Sequence, residues 1–205
     1  TNTMLEVATS SNLWVNLFIM VLCAPVAEEL IFRKLLIDRL AQYGEGVAVL
    51  FSGLMFGLFH GNLNQFVYAF VLGLCFGFIY VKTGNIRYTI GLHMLVNFLG
   101  SVLGVAILKW LGDDFLSIAS DPAGMMSYMT GNFGKLIVYF IYIFLLLGVA
   151  IAGIILFIVN LKKIRFLPGM NTIPKGKRFS TTVLNVGMAL YMIVWIVIII
   201  VQLFQ

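Results

Sequence analysis

Two adjacent carboxylates, Glu28 and Glu29, stand at the end of a long apolar run, and Arg33 follows Glu29 at i+4, where the two can pair along a helix. Glu28 lies about 100° around that helix from Glu29 and so faces a different neighbour. The chain has two histidines, His60 in F-G-L-F-H and His93 in H-M-L-V-N, and the second pattern sets His93 and Asn97 at i and i+4 on one helix face. An ionisable group inside an apolar segment costs about 2.5 to 3.5 kcal/mol on insertion, which makes each of these a candidate for function. Together they suit hydrolysis. A carboxylate in an apolar surround can act as general base toward water near neutral pH, while imidazole and amide groups share that water or donate to an oxyanion. Two histidines and a glutamate with an open position for water would also satisfy catalytic zinc, with Glu28, His60 and His93 as ligands. HxxxN is nevertheless not the HExxH arrangement, in which both histidine ligands and the base share one helix. Each residue has a plainer reading too: the glutamates as interfacial charges beside Arg33 and Lys34, the histidines as hydrogen-bonded packing groups.

These residues need helices to bring them together. Apolar length and the Gly, Pro and charge punctuation predict segments at about 12–42, 46–60, 64–82, 86–110, 134–161 and 181–204. The first turn centres near Gly44, with Glu28 16 residues before it and His60 16 after it, so antiparallel helices bring the two to one level. His93 lies nine residues beyond Gly84, roughly 13 Å in from that turn. The three are expected to meet in the cytoplasmic half of the bilayer. The segment from Asn64 to Lys82 needs roughly 27 Å, which pulls His60 deeper unless both hairpins project into the cytoplasm. Glycines at i and i+4 (Gly53, Gly57 and Gly61; Gly73 and Gly77; Gly100 and Gly104) are read as close helix packing.

Composition sets the fold class. Of 205 residues 61% are hydrophobic and 10% charged, with a mean hydropathy of +1.05, against about 25% charged in an ordinary soluble domain. Runs such as Leu184 to Phe204 do not alternate, which excludes an outer-membrane barrel. The chain reads as an all-α, polytopic helical membrane protein with about six transmembrane helices. Residues 1–110 form a catalytic core, 111–133 an extracytoplasmic loop, and 134–205 two further helices joined by the basic loop 161–180. Six of the thirteen Lys and Arg lie in that loop (162, 163, 165, 175, 177 and 178). The positive-inside rule places it in the cytoplasm, and alternation leaves eleven basic residues inside and two, Lys109 and Lys135, outside. The same asymmetry accounts for the net charge of +5 without nucleic acid. Cys23 and Cys75 are read as small buried hydrophobes. The chain begins at Thr1 close to a spanning segment and is expected to lack upstream helices.

E-E-L-I-F-R (Glu28, Glu29, Arg33), F-G-L-F-H (Phe56, His60) and H-M-L-V-N (His93, Asn97) resemble the EExxxR, FxxxH and HxxxN motifs of the CAAX-protease and bacteriocin-processing (CPBP or Abi) family. Its eukaryotic branch includes the Ras-converting CAAX endopeptidase. The resemblance covers about residues 20–110. It implies an intramembrane endopeptidase with Glu28 activating water alongside His60, His93 and Asn97 as oxyanion donors, Glu29 and Arg33 as a supporting pair, and no cofactor, zinc being the alternative. Phe56 is expected to line the cavity. The expected partners are the bilayer and a peptide precursor or membrane-protein substrate, in a bacterial plasma membrane. A non-catalytic immunity or regulatory scaffold is the alternative function, and a proton-coupled transporter a third, which lacks matched interrupted half-helices. Oligomeric state, substrate and the role of the last two helices are not legible.

Overall fold

The computed structural model describes residues 12–112, 115–171, 173–177, 180–181 and 184–204. Thr172 and Arg178 of the basic loop and Asp113 and Asp114 of the preceding one lie outside them. Among the described residues the fold is all helical, with a single isolated bridge between Gly44 and Pro168. We number the helices α1 (Leu13–Tyr43), α2 (Glu45–Phe59), α3 (Leu63–Thr83), α4 (Ile86–Leu111), α5 (Phe115–Ala119), α6 (Pro122–Asn160) and α7 (Val186–Leu203). Five of these, α1, α3, α4, α6 and α7, are long and apolar enough to cross a membrane. The 15-residue α2 is about 22 Å long, short of a hydrocarbon core of about 30 Å.

Helix α1 alternates between α and wider π turns, at Asn16–Cys23 and Leu30–Ile37, and α4 does so at Phe98–Gly104. Pro25 has no N–H for the carbonyls one turn back, Met20 and Val21. The Asn97 amide donates to the Met20 carbonyl at 2.7 Å and supplies part of what is missing. In the second π turn the buried Ser52 hydroxyl donates to the Phe32 carbonyl at 2.9 Å.

The stretch 111–133, expected as a loop, instead carries α5 and the first turns of α6. Asp121 accepts from the N–H groups of Ala123 (3.1 Å) and Gly124 (3.0 Å), and Pro122 takes the first helical position. This helix start is written in capping residues rather than in apolar length. At Asn132 (φ −128°, ψ 24°) α6 kinks, and the spanning run expected from residue 134 follows the kink.

The chain packs as two units, one of Val21–Leu95 with Phe166–Gln205, the other of the described part of Met4–Met20 with Val96–Arg165. Helix α7 belongs to the first unit and α6 to the second. Hydropathy marks that a helix spans but not which neighbours it packs on.

In the first unit α2 and α3 lie antiparallel at close range. A Cβ at Gly73 would sit 2.8 Å from the Gly53 Cα, and one at Gly57 would sit 3.1 Å from the Phe66 carbonyl oxygen. These glycines do serve close approach, whereas Gly100 and Gly91 have open space. Gly73→Ala is expected to cost about 1 to 3 kcal/mol by overpacking against backbone. Gly91→Ala, in the middle of α4, should be neutral or gain about 0.5 to 1 kcal/mol. Thermal unfolding of both variants in detergent checks this, and equal midpoints would contradict the packing.

The turn that follows α1 is held by the loop after α6. Glu45 accepts from the Leu167 N–H at 2.8 Å and pairs with Lys82 of α3, while Asn171 donates to Gln42 at 2.8 Å. Burial pushes the Glu45 carboxyl up, but Lys82 and the Leu167 N–H outweigh it and hold it below its ordinary range.

Candidate active site

Glu29 and Arg33 are buried completely, at 0% exposure each, inside the first unit. Their one-turn spacing on α1 puts Glu29 Oε2 3.1 Å from Arg33 Nε. The rest of the guanidinium lies against aromatic rings, 4.6 Å from the centroid of Phe56 on α2 and 5.6 Å from that of Phe76 on α3. Cation–π contact of this kind accommodates a charge where water is absent.

The other carboxylate oxygen, Glu29 Oε1, accepts from His93 Nδ1 at 3.0 Å. An ionised carboxylate only accepts, so this contact places the proton on Nδ1 and leaves Nε2 as the atom turned toward the site. His93 Nε2 lies 3.8 Å from Glu28 Oε2. That is beyond a direct hydrogen bond, and Glu28 Oε2 has no hydrogen-bond partner among the described residues. The sequence offers Glu29 to Arg33 as a local pair. The structure makes it the centre of a line running from Arg33 through Glu29 and His93 to Glu28.

His60 caps the C-terminal end of α2, and its Nδ1 donates to the Phe56 carbonyl at 2.9 Å, which leaves Nε2 without a hydrogen bond among the described residues. Gly61 beyond it takes φ +62° to turn the chain into α3. Phe56 joins the two imidazoles. Its ring centroid is 4.9 Å from His60 and 5.5 Å from His93, edge to face in both cases. Phe56 is thus a buried wedge that fixes ring positions, a larger part than lining. Asn97, in the second unit, donates one amide N–H to Met20 as described above.

Three residues escape sequence reading. Phe76 packs on His93 at 5.5 Å, and Ser52 ties α2 to the π turn that carries Arg33. Gln65 is buried with no partner for Oε1 among the described residues, on the face of α3 that holds Ala69 against Phe56. Apolar periodicity on α3 marks that face, but nothing in the sequence tells a packing Gln from a functional one.

No group of three His, Cys, Asp or Glu among the described residues is gathered so as to hold a metal ion. Glu28, His60 and His93 form no such group.

The described fold and site define a helical membrane protein with a buried carboxylate and imidazole cluster. Residues 10–99 match the family described as Type II CAAX prenyl endopeptidase Rce1-like. This bears out the resemblance carried by the three motifs, all of which fall inside the matched stretch. Over 74 residues the chain is 32% identical to a Bacillus subtilis (strain 168) protein named "Putative membrane peptidase YdiL". That alignment covers 36% of this chain and 30% of the relative. No solved structure matches the chain.

Proposed function

We propose that this protein is an intramembrane endopeptidase that hydrolyses a peptide bond of a peptide precursor or membrane-associated substrate with a water activated by Glu28. The observation that carries the reading is the line Arg33, Glu29, His93, Glu28, lying within the stretch that matches the family. Glu28 Oε2 takes a proton from water as the water oxygen bonds to the scissile carbonyl carbon, and the carbonyl electron pair moves onto its oxygen. His93, held at Nδ1 by Glu29, turns Nε2 toward that oxyanion, and by the family resemblance Asn97 is the further oxyanion donor. His60 Nε2 shares the water. When the C–N bond breaks, the leaving nitrogen takes the proton held by Glu28, so the carboxylate is restored.

The test compares new protein termini in cells carrying the full-length protein with those in cells carrying Glu28→Gln. Termini present only with the unaltered protein support the reading. Their absence, with equal amounts of both proteins in the membrane, leaves a non-catalytic scaffold as the better account.

The reaction needs no metal in this proposal. Purified protein is expected to keep most of its activity in excess chelator and to contain well under one zinc per chain. Activity that disappears on chelation and returns with zinc, at one zinc per chain, would reverse the assignment.

We propose a bacterial plasma membrane as its location and, on the eleven-to-two distribution of Lys and Arg, place the basic loop 161–180 in the cytoplasm. Cysteines introduced at Thr172 and Ser117, with Cys23 and Cys75 replaced by Ala, should show opposite access to an impermeant thiol reagent. Labelling of both from one side would sink the orientation.

A further inference from the structure

A groove of about 350 Å³ runs along α1, and none of Glu28, Glu29, His60 and His93 lines it. Its walls are Ile31 and Leu35 of α1, Met55 and Phe59 of α2, and Tyr191 and Trp195 of α7, with Arg39 at the end nearest the α1 to α2 turn. All belong to the first unit. The Tyr191 hydroxyl is engaged, donating to the Met55 carbonyl at 2.7 Å. The groove therefore offers an occupant hydrocarbon contact along its length and one charge at one end.

That charge is free to take a new partner. Arg39 is exposed and donates Nη1 to the Leu35 carbonyl of its own helix at 3.1 Å. The acid beside it, Asp38, is already held by Lys34 at 2.8 Å and by the Tyr80 hydroxyl at 2.8 Å. No ion pair of Arg39 exists among the described residues. From Ile31 to Arg39 is eight residues, at most about 12 Å at the rise of an α-helix, which is the scale of half an acyl chain rather than of a headgroup.

We propose that this groove binds one acyl chain of an anionic glycerophospholipid, with the lipid phosphate on Arg39. An extended peptide is disfavoured as occupant, since its backbone N–H and C=O groups would find no partners on these walls. A zwitterionic lipid supplies the chain but offsets its phosphate with its own cation. Phe59, which packs on Trp195 at 5.1 Å and on Phe32 at 5.4 Å, places the bound chain one ring away from the wall that carries His60.

Trp195 makes the site directly observable. In the full chain with Trp14→Phe and Trp110→Phe it is the sole tryptophan, and the protein is reconstituted in phosphatidylcholine vesicles containing a minor fraction of lipid brominated in mid-chain. Brominated phosphatidylglycerol is expected to quench Trp195 with an apparent affinity about fivefold above brominated phosphatidylcholine, the preference one basic residue gives for anionic lipid. Arg39→Gln should remove that preference and Arg39→Lys should keep it, while thermal midpoints of both variants report folding. Equal quenching by the two lipids, a preference that survives Arg39→Gln, or no quenching by either, as a second copy of the chain seated in the groove would give, each overturns the proposal. None of these readouts depends on peptidase activity.

Discussion

Glu28→Gln in the purified full-length protein is expected to lower turnover by about 10² to 10⁴-fold, the usual contribution of a positioned general base. Gln keeps the shape of the side chain and loses the ability to take a proton from water. Glu28 sits at the open end of the line of contacts, with Oε2 unpartnered and His93 Nε2 3.8 Å away, so the substitution breaks no hydrogen bond among the described residues. The thermal midpoint should stay close to that of the unaltered protein. The measurement is single-turnover cleavage of a substrate identified from the terminus comparison, alongside thermal unfolding of the same preparations. Near-normal turnover in Glu28→Gln would remove Glu28 from the role of base. Lost turnover with a collapsed midpoint would make Glu28 a structural residue instead.

Arg33→Met carries the largest expected stability cost, about 3 to 5 kcal/mol, because it leaves the Glu29 carboxylate buried at 0% exposure with its cation gone. The loss of the charge over Phe56 and Phe76 adds to it. Replacing both partners, as Glu29→Leu with Arg33→Met, removes the unpaired charge and should recover most of that stability. Activity should not return with it. The Glu29 carboxylate is what holds His93 at Nδ1, and a leucine cannot accept that proton. Chemical or thermal unfolding in one detergent, read beside cleavage, separates the two effects. A single Arg33→Met variant as stable as the unaltered protein would deny the buried pair, and a double variant with normal cleavage would deny that Glu29 positions His93.

Sequence alone determined the class of fold and the membership of the cluster. Burying apolar side chains and satisfying every backbone group locally leaves only helices for a chain this hydrophobic, so length and punctuation mark the spans to within a few residues. Ionisable residues are costly in such segments, which is why Glu28, Glu29, Arg33, His60 and His93 stood out before any geometry was known. The i,i+4 spacing also fixed the pairing of Glu29 with Arg33, because one helix contains both.

What lies between helices needed the tertiary structure. That Glu29 is shared between Arg33 and His93, 64 residues away in the chain, depends on how α1 and α4 rotate about their axes, and hydropathy constrains that rotation weakly when every face is apolar. For the same reason the helix hidden in 115–133 and the placing of α7 with the first unit were not legible. Phe56 illustrates the divide. A phenylalanine one turn before a histidine reads as lining, and only packing among four helices' neighbours makes it the ring on which Arg33, His60 and His93 all rest. Local spacing is written in the covalent chain, whereas the distance from Glu28 to His93 is set by how the helices that carry them pack, a property of the assembled surfaces and of no single segment.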